Sequence, residues 1–360
     1  MIQVQLKLKP TKAQQAVLAE WLNILTGVWN WAITKIGNDA ADHIYHTQFD
    51  FRNILAHHND RLGMPSHTIQ AQLNIAYIAW KRCFKKISRK PRLKTKLTMV
   101  KSIPFPDPVG PKNISPTKVK LPTIGELAFY KQPIPAGKVK CASILRKASG
   151  WYVALFIDAD REPINYDKKK PVIAIYLGAR SQIAMFDGEK QTMIEKPHYF
   201  EAKEKRLGQA QRGINKRLVA RLHERVKNKR KDFDHKLSHK LVKEYSKIIV
   251  NKDSLQSAAR KQGKLVAENS YYQLRMMLAY KASVSNVEFI EVDLQDSTGL
   301  CSRCGVVTGP TGGARLSVRN WECEGCGARH ETGGNAARNI LTSGAGAVHE
   351  RPRKKGRPKH

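Results

Sequence analysis

Four cysteines near the carboxyl end of the chain have the spacing of metal ligands. Cys301 and Cys304 form one CxxC pair, Cys323 and Cys326 form a second, and residues 305–322 separate the two. A glycine directly follows each pair, which favours a tight turn. Four thiolates at this spacing close a tetrahedral site for structural Zn²⁺, with no position left for catalysis. The spacing predicts a zinc ribbon; the alternatives are two unrelated cysteine pairs or a redox CxxC.

Positive charge is the strongest signal in the composition. The 360 residues include 64 Lys and Arg against 30 Asp and Glu, a formal net charge of +34. The basic residues occur along the whole chain, among Trp, Tyr and Phe, and are not confined to one tail. This distribution favours a large nucleic-acid footprint over a ribosomal-type or membrane-surface protein.

The chain lacks the signals of a membrane or exported protein. It has no run of 18 apolar residues, and its first residues alternate like a strand, without a signal-peptide core. We therefore expect no membrane partner and a cytoplasmic location.

The N-terminal half reads first as helical. Thr11 is a candidate N-cap for a helix whose apolar stripe contains Leu18, Leu22 and Leu25, with Trp29 a turn later. Helical texture continues to about residue 88, with a break at 63–65. The second long segment, 66–86, predicts one amphipathic helix with Ile69, Leu73, Tyr77 and Trp80 on its apolar face.

From about residue 95 the pattern changes to short strands. The runs 139–145 and 151–157 predict antiparallel strands of a small β domain. A further domain begins with strands 172–178 and 182–186. It continues with a basic helix over about 202–246, a strand at 247–250, a helix at 271–285 and a strand at 287–292. This order is typical of an α/β fold. The long helix has an apolar stripe that includes Leu207, Ile214, Leu218, Leu222 and Val226.

In its order of motifs the chain resembles TnpB, the transposon-encoded RNA-guided nuclease related to type V CRISPR effectors. The resemblance is carried by the basic helix segment 223–233, Tyr280-Lys281-Ala282, the zinc ribbon and the closing segment 335–341. It implies a C-terminal RuvC domain of RNase H fold with an inserted zinc ribbon. It also implies an N-terminal helical recognition domain and a small β-barrel, or wedge, domain.

The family's motifs place three catalytic acids at positions that hold other residues here. The first strand has Tyr176 where the family has Asp, the strand 248–251 ends in Asn251 where it has Glu, and Gly333 stands where it has Asp. Because two-metal nucleases need these carboxylates to hold their ions, we expect no catalytic Mg²⁺ and no nuclease activity. The alternative is that Asp253 or Glu331 has moved into the place of a lost acid.

A scaffold retained without its acids predicts binding without cleavage. The resemblance implies a bacterial, nucleoid-associated ribonucleoprotein, monomeric, that uses a guide RNA to occupy guide-complementary double-stranded DNA. We expect it to repress transcription from a matched promoter beside a short A·T-rich duplex motif. The rivals are an active RNA-guided endonuclease and a guide-free zinc-ribbon protein that binds nucleic acid.

Two sets of residues are candidates for nucleic-acid contact. Basic residues of the long helix are expected to contact phosphates, the alternative being an ordinary solvated helix face: Arg217, Arg221, Arg225, Lys227, Lys229 and Arg230. Polar residues of the helix after Pro65 are expected to read the duplex motif, since Gln and Asn pair with adenine in the major groove. These are Ser66, His67, Gln70 and Asn74; ordinary surface polarity is the alternative.

The expected domain boundaries follow from these segments. Residues 1–10 and 95–168 form the β (wedge) domain, 11–94 the helical recognition domain, 171–296 with 328–345 the RuvC-like domain, 297–327 the zinc ribbon, and 346–360 a basic disordered tail.

Overall fold

The computed structural model divides the chain into two units, Met1–Asp160 and Arg161–His360, and each unit has its own buried core. The residues that the structure describes are 1–53, 63–159, 170–178, 182–197, 199, 201–252, 271–293, 297–311 and 317–344. Within these segments, none of the helices combines the length and apolarity needed to cross a bilayer.

The first unit begins with a strand and three helices. They are β1 (Ile2–Lys7), α1 (Lys12–Ala41), α2 (Gln48–Asn53) and α3 (Ser66–Phe84). The predicted N-cap is confirmed: Gln14 N donates to Thr11 Oγ1 at 3.2 Å, and Thr11 N donates to Gln14 Oε1 at 3.1 Å. The reciprocal pair satisfies two amide groups that helix geometry leaves without partners. The predicted leucine stripe of α1 is buried.

Trp80 fixes α3 against α1. Its Nε1 donates to the Ile33 carbonyl oxygen at 2.9 Å. Its ring lies against Gly37, where a Cβ would come within 2.9 Å of the ring. The predicted apolar face of α3 is confirmed, with Ile69 and Leu73 fully buried, although the helix ends at Phe84, two residues earlier than expected.

The strands of the first unit form a sheet and a hairpin. They are β2 (Ser102–Phe105), β3 (Lys118–Leu121), β4 (Gly125–Ala128), β5 (Lys138–Lys147) and β6 (Gly150–Asp158). The antiparallel sheet has the order β1-β6-β5-β2, and β3 pairs with β4. The two predicted antiparallel strands are confirmed as β5 and β6. Leu8, just beyond β1, bridges Phe129, just beyond β4, so the hairpin continues the pairing of the sheet past β1.

The second unit is built on a mixed five-stranded sheet. Its strands are β7 (Val172–Leu177), β8 (Gln182–Phe186), β9 (Gln191–Glu195), β10 (Lys247–Asn251) and β11 (Glu288–Val292). The order is β11-β10-β7-β8-β9; β10 pairs in parallel with both β7 and β11, and β8 pairs antiparallel with both β7 and β9. The sequence prediction missed β9.

The described residues of the second unit also form four helices and a small hairpin. They are α4 (Glu201–Arg212), α5 (Lys216–Glu244), α6 (Tyr271–Val284), α7 (Thr332–Gly344), β12 (Asn320–Glu322) and β13 (Arg329–Glu331). Alternate residues of β7 face different layers. Ile173 and Ile175 belong to the core that includes residues of α5 and α6, and Ala174 and Tyr176 to the core that includes residues of α7.

The prediction of one basic helix over 202–246 is wrong, because a turn at residues 213–215 interrupts the helix between α4 and α5. Ile214, expected in the apolar stripe, adopts a φ of 52° and is 77% exposed. Gly213 is a poor helix former, and Asn215 caps the new helix by accepting from Leu218 N at 3.0 Å. Local capping therefore outweighs the continuous hydrophobic pattern at this point.

Candidate nucleic-acid interface and metal centre

The three positions that the resemblance assigns to acids meet at one end of the five-stranded sheet. Tyr176 stands near the end of β7, and Asn251 is the last residue of the parallel neighbour β10. Gly333 is in the first turn of α7, where a Cβ would lie 3.2 Å from Ala184 Cβ. Ala184 is the ladder partner of Tyr176. The fold therefore places residues 176, 251 and 333 where side chains of one site would converge.

Tyr176 fills this end of the sheet with an aromatic ring. The residue is 8% exposed and belongs to the apolar cluster that contains Ala336 and Ile340. Its ring lies against Gly178, where a Cβ would come within 2.8 Å of Tyr176 Cε1. A ring at this position fills the space, and it lacks the negative charge that a metal-binding carboxylate would supply.

Asn251 makes a structural hydrogen bond. Its side chain is buried, and Oδ1 accepts from Leu177 N at 2.8 Å. The bond ties the end of β10 to the end of β7, beyond the last pair of their ladder. A neutral amide is a weak ligand for a hard divalent cation, and here its oxygen joins two strands of the sheet.

Glu331, the carboxylate considered as a substitute ligand, caps α7. Its Oε1 accepts from Gly333 N at 3.2 Å and its Oε2 from Gly334 N at 2.6 Å. Both oxygens thus bind amide groups of the helix start, where negative charge is favourable. Asp253, the other substitute, lies outside the described residues.

The four cysteines form a compact sulfur cluster. Their Sγ atoms all lie within 4.8 Å of one another, with Cys301 and Cys326 at 3.7 Å and Cys304 and Cys323 at 3.6 Å. A tetrahedral Zn²⁺ with Zn–S bonds of about 2.3 Å needs sulfurs about 3.8 Å apart. The cluster therefore fits the predicted ion and provides four soft ligands for it.

Each CxxC pair lies on a tight turn closed by backbone hydrogen bonds. Gly305 N donates to Cys301 O at 2.9 Å and Gly327 N to Cys323 O at 2.8 Å, and both glycines have positive φ. The Thr308 hydroxyl donates to Cys323 Sγ at 3.3 Å and lowers the pKa of that thiol to about 6. Burial instead raises the pKa of Cys301 to about 12. A bound cation would favour the thiolate at both positions.

The predicted phosphate contacts on α5 divide between its two faces. Most of them are exposed: Arg217, Arg221, Arg225, Lys227 and Lys229. Arg230 is half-buried. Burial lowers the pKa of the nearby Lys196 amine, Asp234 opposes that shift, and the charge of Arg230 adds a smaller lowering. The structure therefore separates Arg230 from the exposed basic row.

The four polar residues predicted to read a duplex motif differ in accessibility. Ser66 and His67 are exposed at the start of α3, and His67 Nδ1 lies 2.8 Å from Asp107 Oδ2. Gln70 and Asn74 are half-buried, and Asn74 Oδ1 has no hydrogen-bond partner among the described residues. The first two side chains are the better placed to meet a ligand.

Models of three protein families match three separate parts of the chain. Residues 1–37 match a helix-turn-helix domain of OrfB of IS605, 159–260 match the IS605 OrfB probable transposase, and 271–340 match the TNB domain of Cas12f1-like proteins. The four cysteines lie within the last match.

The chain is also similar to curated proteins in sequence and to a solved structure in fold. A Streptomyces pristinaespiralis protein named "Putative RNA-guided DNA endonuclease" is 32% identical over 236 residues, 61% of this chain and 56% of that protein. TnpB-like protein L79 of Acanthamoeba polyphaga mimivirus is 28% identical over 48% of this chain and 32% of its own length. A chain in the cryo-EM structure of a Cas12f1–sgRNA–target DNA complex shares the fold, with a TM-score of 0.58 at 13% identity, over 92% of this chain and 83% of that one.

The chain is therefore similar to TnpB-like proteins, IS605 transposases and Cas12f1-like proteins.

The matches to curated TnpB-like relatives are partial in length. The chain spans 56% of the Streptomyces protein and 32% of the mimivirus protein. In the region matched to the helix-turn-helix model, this TnpB-like chain has the strand β1 and most of the single helix α1.

Sequence reasoning missed the side chains that attach the cysteine cluster to α7. Asn335 Oδ1 accepts from Ser302 N at 2.9 Å, and its Nδ2 donates to Leu300 O at 2.7 Å. Asn339 Nδ2 donates to the same carbonyl oxygen at 2.7 Å. His330 Nε2 lies 3.0 Å from Cys301 Sγ. The one signal in the sequence was the spacing Asn335-x-x-x-Asn339, which places both amides on one helix face.

A buried charge pair in this TnpB-like fold was also missed. Lys196 Nζ lies 3.0 Å from Asp234 Oδ1, and the two side chains are 9% and 0% exposed. Lys196 Nζ also lies 4.9 Å from the Tyr271 ring centroid. Burial, with smaller contributions from Tyr176 and Asp234, raises the pKa of Tyr271 far above its ordinary value. No pattern in the sequence pairs a lysine after β9 with an aspartate in the middle of α5.

Proposed function

We propose that this protein is a RuvC-like, RNA-guided DNA-binding protein that does not cut its target. It would act as a monomeric ribonucleoprotein with a guide RNA and guide-complementary double-stranded DNA as partners. Zn²⁺ would be its structural cofactor, and no catalytic Mg²⁺ would bind. The names of its relatives and its fold support RNA guidance, and its net charge of +34 supports a polyanionic partner.

The composition of the sheet end is the observation that carries the proposal. Two-metal catalysis needs carboxylates on both sides of the scissile phosphate. Tyr176 packs as a hydrophobic ring there, Asn251 is engaged with the backbone of β7, and Gly333 has no side chain. The meander β7-β8-β9 followed by the parallel strands β10 and β11 supports a RuvC-like sheet.

Binding does not depend on the missing acids. In RNA-guided recognition, base pairing supplies specificity, while the protein holds the heteroduplex by its backbone and its shape. The exchange of a DNA duplex for an RNA–DNA heteroduplex is nearly balanced in free energy, so basic contacts can tip it. The exposed basic row of α5 would supply such contacts, and Ser66 and His67 would meet a short A·T-rich motif. Occupancy of a promoter by this complex would repress transcription.

The proposal is tested by measuring occupancy and cleavage on the same DNA. RNA that copurifies with the full chain is sequenced, and a duplex matching that guide is incubated with the ribonucleoprotein and Mg²⁺ or Mn²⁺. We expect a protected footprint on the matched duplex and intact strands on a denaturing gel. A duplex with a scrambled target sequence is the control, and it should remain unprotected.

Two other outcomes would decide for the rival functions. Guide-dependent nicks that disappear with Asp253→Ala or Glu331→Ala would identify an active endonuclease with a displaced carboxylate. Purified protein that carries no defined small RNA, yet binds DNA, would identify a guide-free binding protein. Either result overturns the proposal.

A further inference from the structure

A basic segment without helix or strand follows α3 in the first unit. We define it as the basic strap, residues 85–97. It contains seven basic residues, and the chain has no Asp or Glu between Asp60 and Asp107. The strap is largely exposed. Among the residues that the structure describes, none of its Lys or Arg side chains has a carboxylate partner. So many cations without counter-charges favour the binding of a polyanion.

Helix α1 fixes the backbone of the strap at Arg92 and Lys94. Lys94 N donates to Asn30 Oδ1 at 2.7 Å, and Asn30 Nδ2 donates to Lys94 O at 2.9 Å. Trp29 Nε1 donates to Arg92 O at 3.1 Å, and Lys94 Nζ lies 4.9 Å from the Trp29 ring centroid. One amide side chain thus pairs with the strap as a neighbouring strand would. The backbone is fixed while the exposed Arg89, Arg92 and Lys96 side chains remain available to a ligand.

An aromatic pocket opens where the strap begins. We define it by Tyr45, Tyr77, Trp80 and Phe84, which with nearby residues of α1 and the α1–α2 loop line a cavity of about 140 Å³. Trp80 and Phe84 are stacked with ring centroids 5.2 Å apart, and Tyr45 meets Phe84 edge-on at 6.1 Å. Tyr45 is 68% exposed and Phe84 47%. Aromatic rings with such large exposed fractions favour the binding of a planar ligand that can stack on them.

Cations lie at the rim of this pocket. Lys81 lines it, and Lys90 of the strap reaches back so that its Nζ lies 5.6 Å from the Trp80 ring centroid. Aromatic faces beside a line of unpaired cations are the combination that single-stranded nucleic acid requires, since bases stack and phosphates need positive charge. A purely apolar partner would leave the strap's charges without a role.

We propose that the aromatic pocket takes the base of an unpaired nucleotide and that the basic strap binds the phosphates of the same single strand. The inference rests on the proposed nucleic-acid binding and adds a second site in the first unit, separate from α5. It identifies the ligand as a single-stranded polynucleotide and leaves duplex DNA to other surfaces.

Photo-crosslinking of the full chain locates the ligand. The probes are a mixed-sequence single-stranded RNA with 4-thiouridine, the matching DNA with 4-thiothymidine, and the blunt duplex of the same sequence. We expect crosslinks from a single strand in peptides that contain Tyr45 or Phe84, and the RNA and DNA arms show which sugar is preferred. Crosslinks confined to other peptides would overturn the proposal.

Affinity measurements test the stacking contact. Phe84→Ala should weaken single-strand binding about tenfold, since stacking of one base contributes roughly 1–3 kcal/mol. Phe49→Ala is the matched control because Phe49 is an exposed phenylalanine, 71% accessible, that does not line the pocket. Equal effects of the two substitutions would refute a specific pocket.

Charge and geometry are tested separately. The triple variant Arg89→Gln, Arg92→Gln, Lys96→Gln should lower the slope of log K against log salt by about 2, as expected for the loss of three phosphate contacts. Lys112→Gln, Lys131→Gln, Lys138→Gln, with the same charge change on exposed residues of the same unit, should leave it nearly unchanged. Asn30→Leu keeps every charge but frees the strap, and should weaken binding about threefold to tenfold.

Two results separate this site from the guide-dependent function. If the protein copurifies with no guide RNA but binds oligonucleotides through Phe84, RNA guidance is refuted and nucleotide binding by the aromatic pocket is supported. If every strap and pocket variant shows normal guided occupancy of DNA and unchanged oligonucleotide affinity, the pocket proposal is refuted and RNA guidance is not. Light scattering that shows a dimer broken by Phe84→Ala, with oligonucleotide binding intact, would reassign the patch to a second copy of the chain.

Discussion

At the scale of single residues, Tyr176 and Asn251 make local contacts that depend on their own side chains. The Tyr176 ring occupies the space beside Gly178, and Asn251 Oδ1 takes the amide proton of Leu177. Neither arrangement is a vacant site, since each residue takes part in contacts that stabilise the sheet. Placing an acid at position 176 would therefore remove a packed ring as well as add charge.

The contact between Tyr176 and Gly178 gives a prediction about coupling. Gly178→Ala would bring a methyl group within 2.8 Å of the Tyr176 ring, and should lower the free energy of unfolding by about 1–3 kcal/mol through overpacking. In the Tyr176→Ala background the same change should cost less than about 1 kcal/mol, because the obstructing ring is gone. Urea denaturation of the four proteins measures the coupling, and equal costs in both backgrounds would show that the ring does not constrain residue 178.

At the scale of elements, the cysteine cluster and α7 depend on each other. Asn335 and Asn339 of α7 bind the backbone around Leu300, and Glu331 at the end of β13 caps the same helix. Loss of the metal would remove the cross-link between the two cysteine turns, and the asparagine contacts would transmit the disorder to α7.

Removal of one ligand should therefore affect a region larger than the ribbon. Cys323→Ser is expected to reduce bound zinc from about one equivalent to near zero, and to increase hydrogen exchange in residues 297–311 and 317–344. Cys83→Ser, at a half-buried thiol of α3 outside the cluster, is the control and should retain zinc. The measurements are metal analysis and exchange mass spectrometry. A purified wild-type protein without stoichiometric zinc would contradict the assignment.

Helix α5 has two faces with different roles. Arg225 is exposed, whereas Arg230 is half-buried and acts electrostatically on the Lys196–Asp234 pair. A residue held against a buried ion pair has less freedom to reach a phosphate than one in water.

The two arginines should respond differently to the same substitution. Arg225→Gln is expected to reduce the salt slope of nucleic-acid binding by about 1, as for one lost phosphate contact. Arg230→Gln should leave that slope nearly unchanged and instead alter the stability of the second unit, because breaking into a buried charge network is costly. Binding titrations over a salt series, with thermal denaturation alongside, distinguish the two. An equal loss of slope in both variants would place Arg230 in the interface.

At the scale of the whole molecule, charge dominates. A net charge of +34 makes the isolated chain repel itself and makes any polyanion a favourable partner. The exposed row of α5 and the basic strap are two parts of this surface, one in each unit.

Non-specific affinity should accordingly fall steeply with salt. If the five exposed candidate cations of α5 alone contact phosphates, the slope of log K against log salt should be roughly −3.5 to −4.5. Specific binding to a guide-matched duplex should persist at salt concentrations that release non-specific DNA, since base pairing is less sensitive to screening. Fluorescence anisotropy from low to high salt measures both. A flat dependence would contradict the electrostatic basis of binding.

Several features were determined by the sequence alone because they depend on local spacing. The CxxC pairs predicted the sulfur cluster, the Thr11 cap predicted the start of α1, and the alternation in 139–145 and 151–157 predicted β5 and β6. The cap, the strands and each CxxC turn are set by neighbours a few residues apart, where backbone geometry limits what the side chains can do. The absence of acids at 176, 251 and 333 was inferred in another way, from the resemblance to the family's motifs.

Tertiary structure alone decided which residues Tyr176, Asn251 and Lys196 contact. The contact of Tyr176 with Gly178, the bond from Leu177 to Asn251 and the pairing of Lys196 with Asp234 join residues whose relation depends on side-chain packing or strand register. The break at Ile214 shows the converse, since a cap at Asn215 overrode a hydrophobic stripe that continued through it. Asn30 and Lys94 are far apart in the chain, and only packing of the strap on α1 brings them together. Sequence periodicity carries no record of such pairings, because they arise from the three-dimensional packing of elements and not from the pattern within one element.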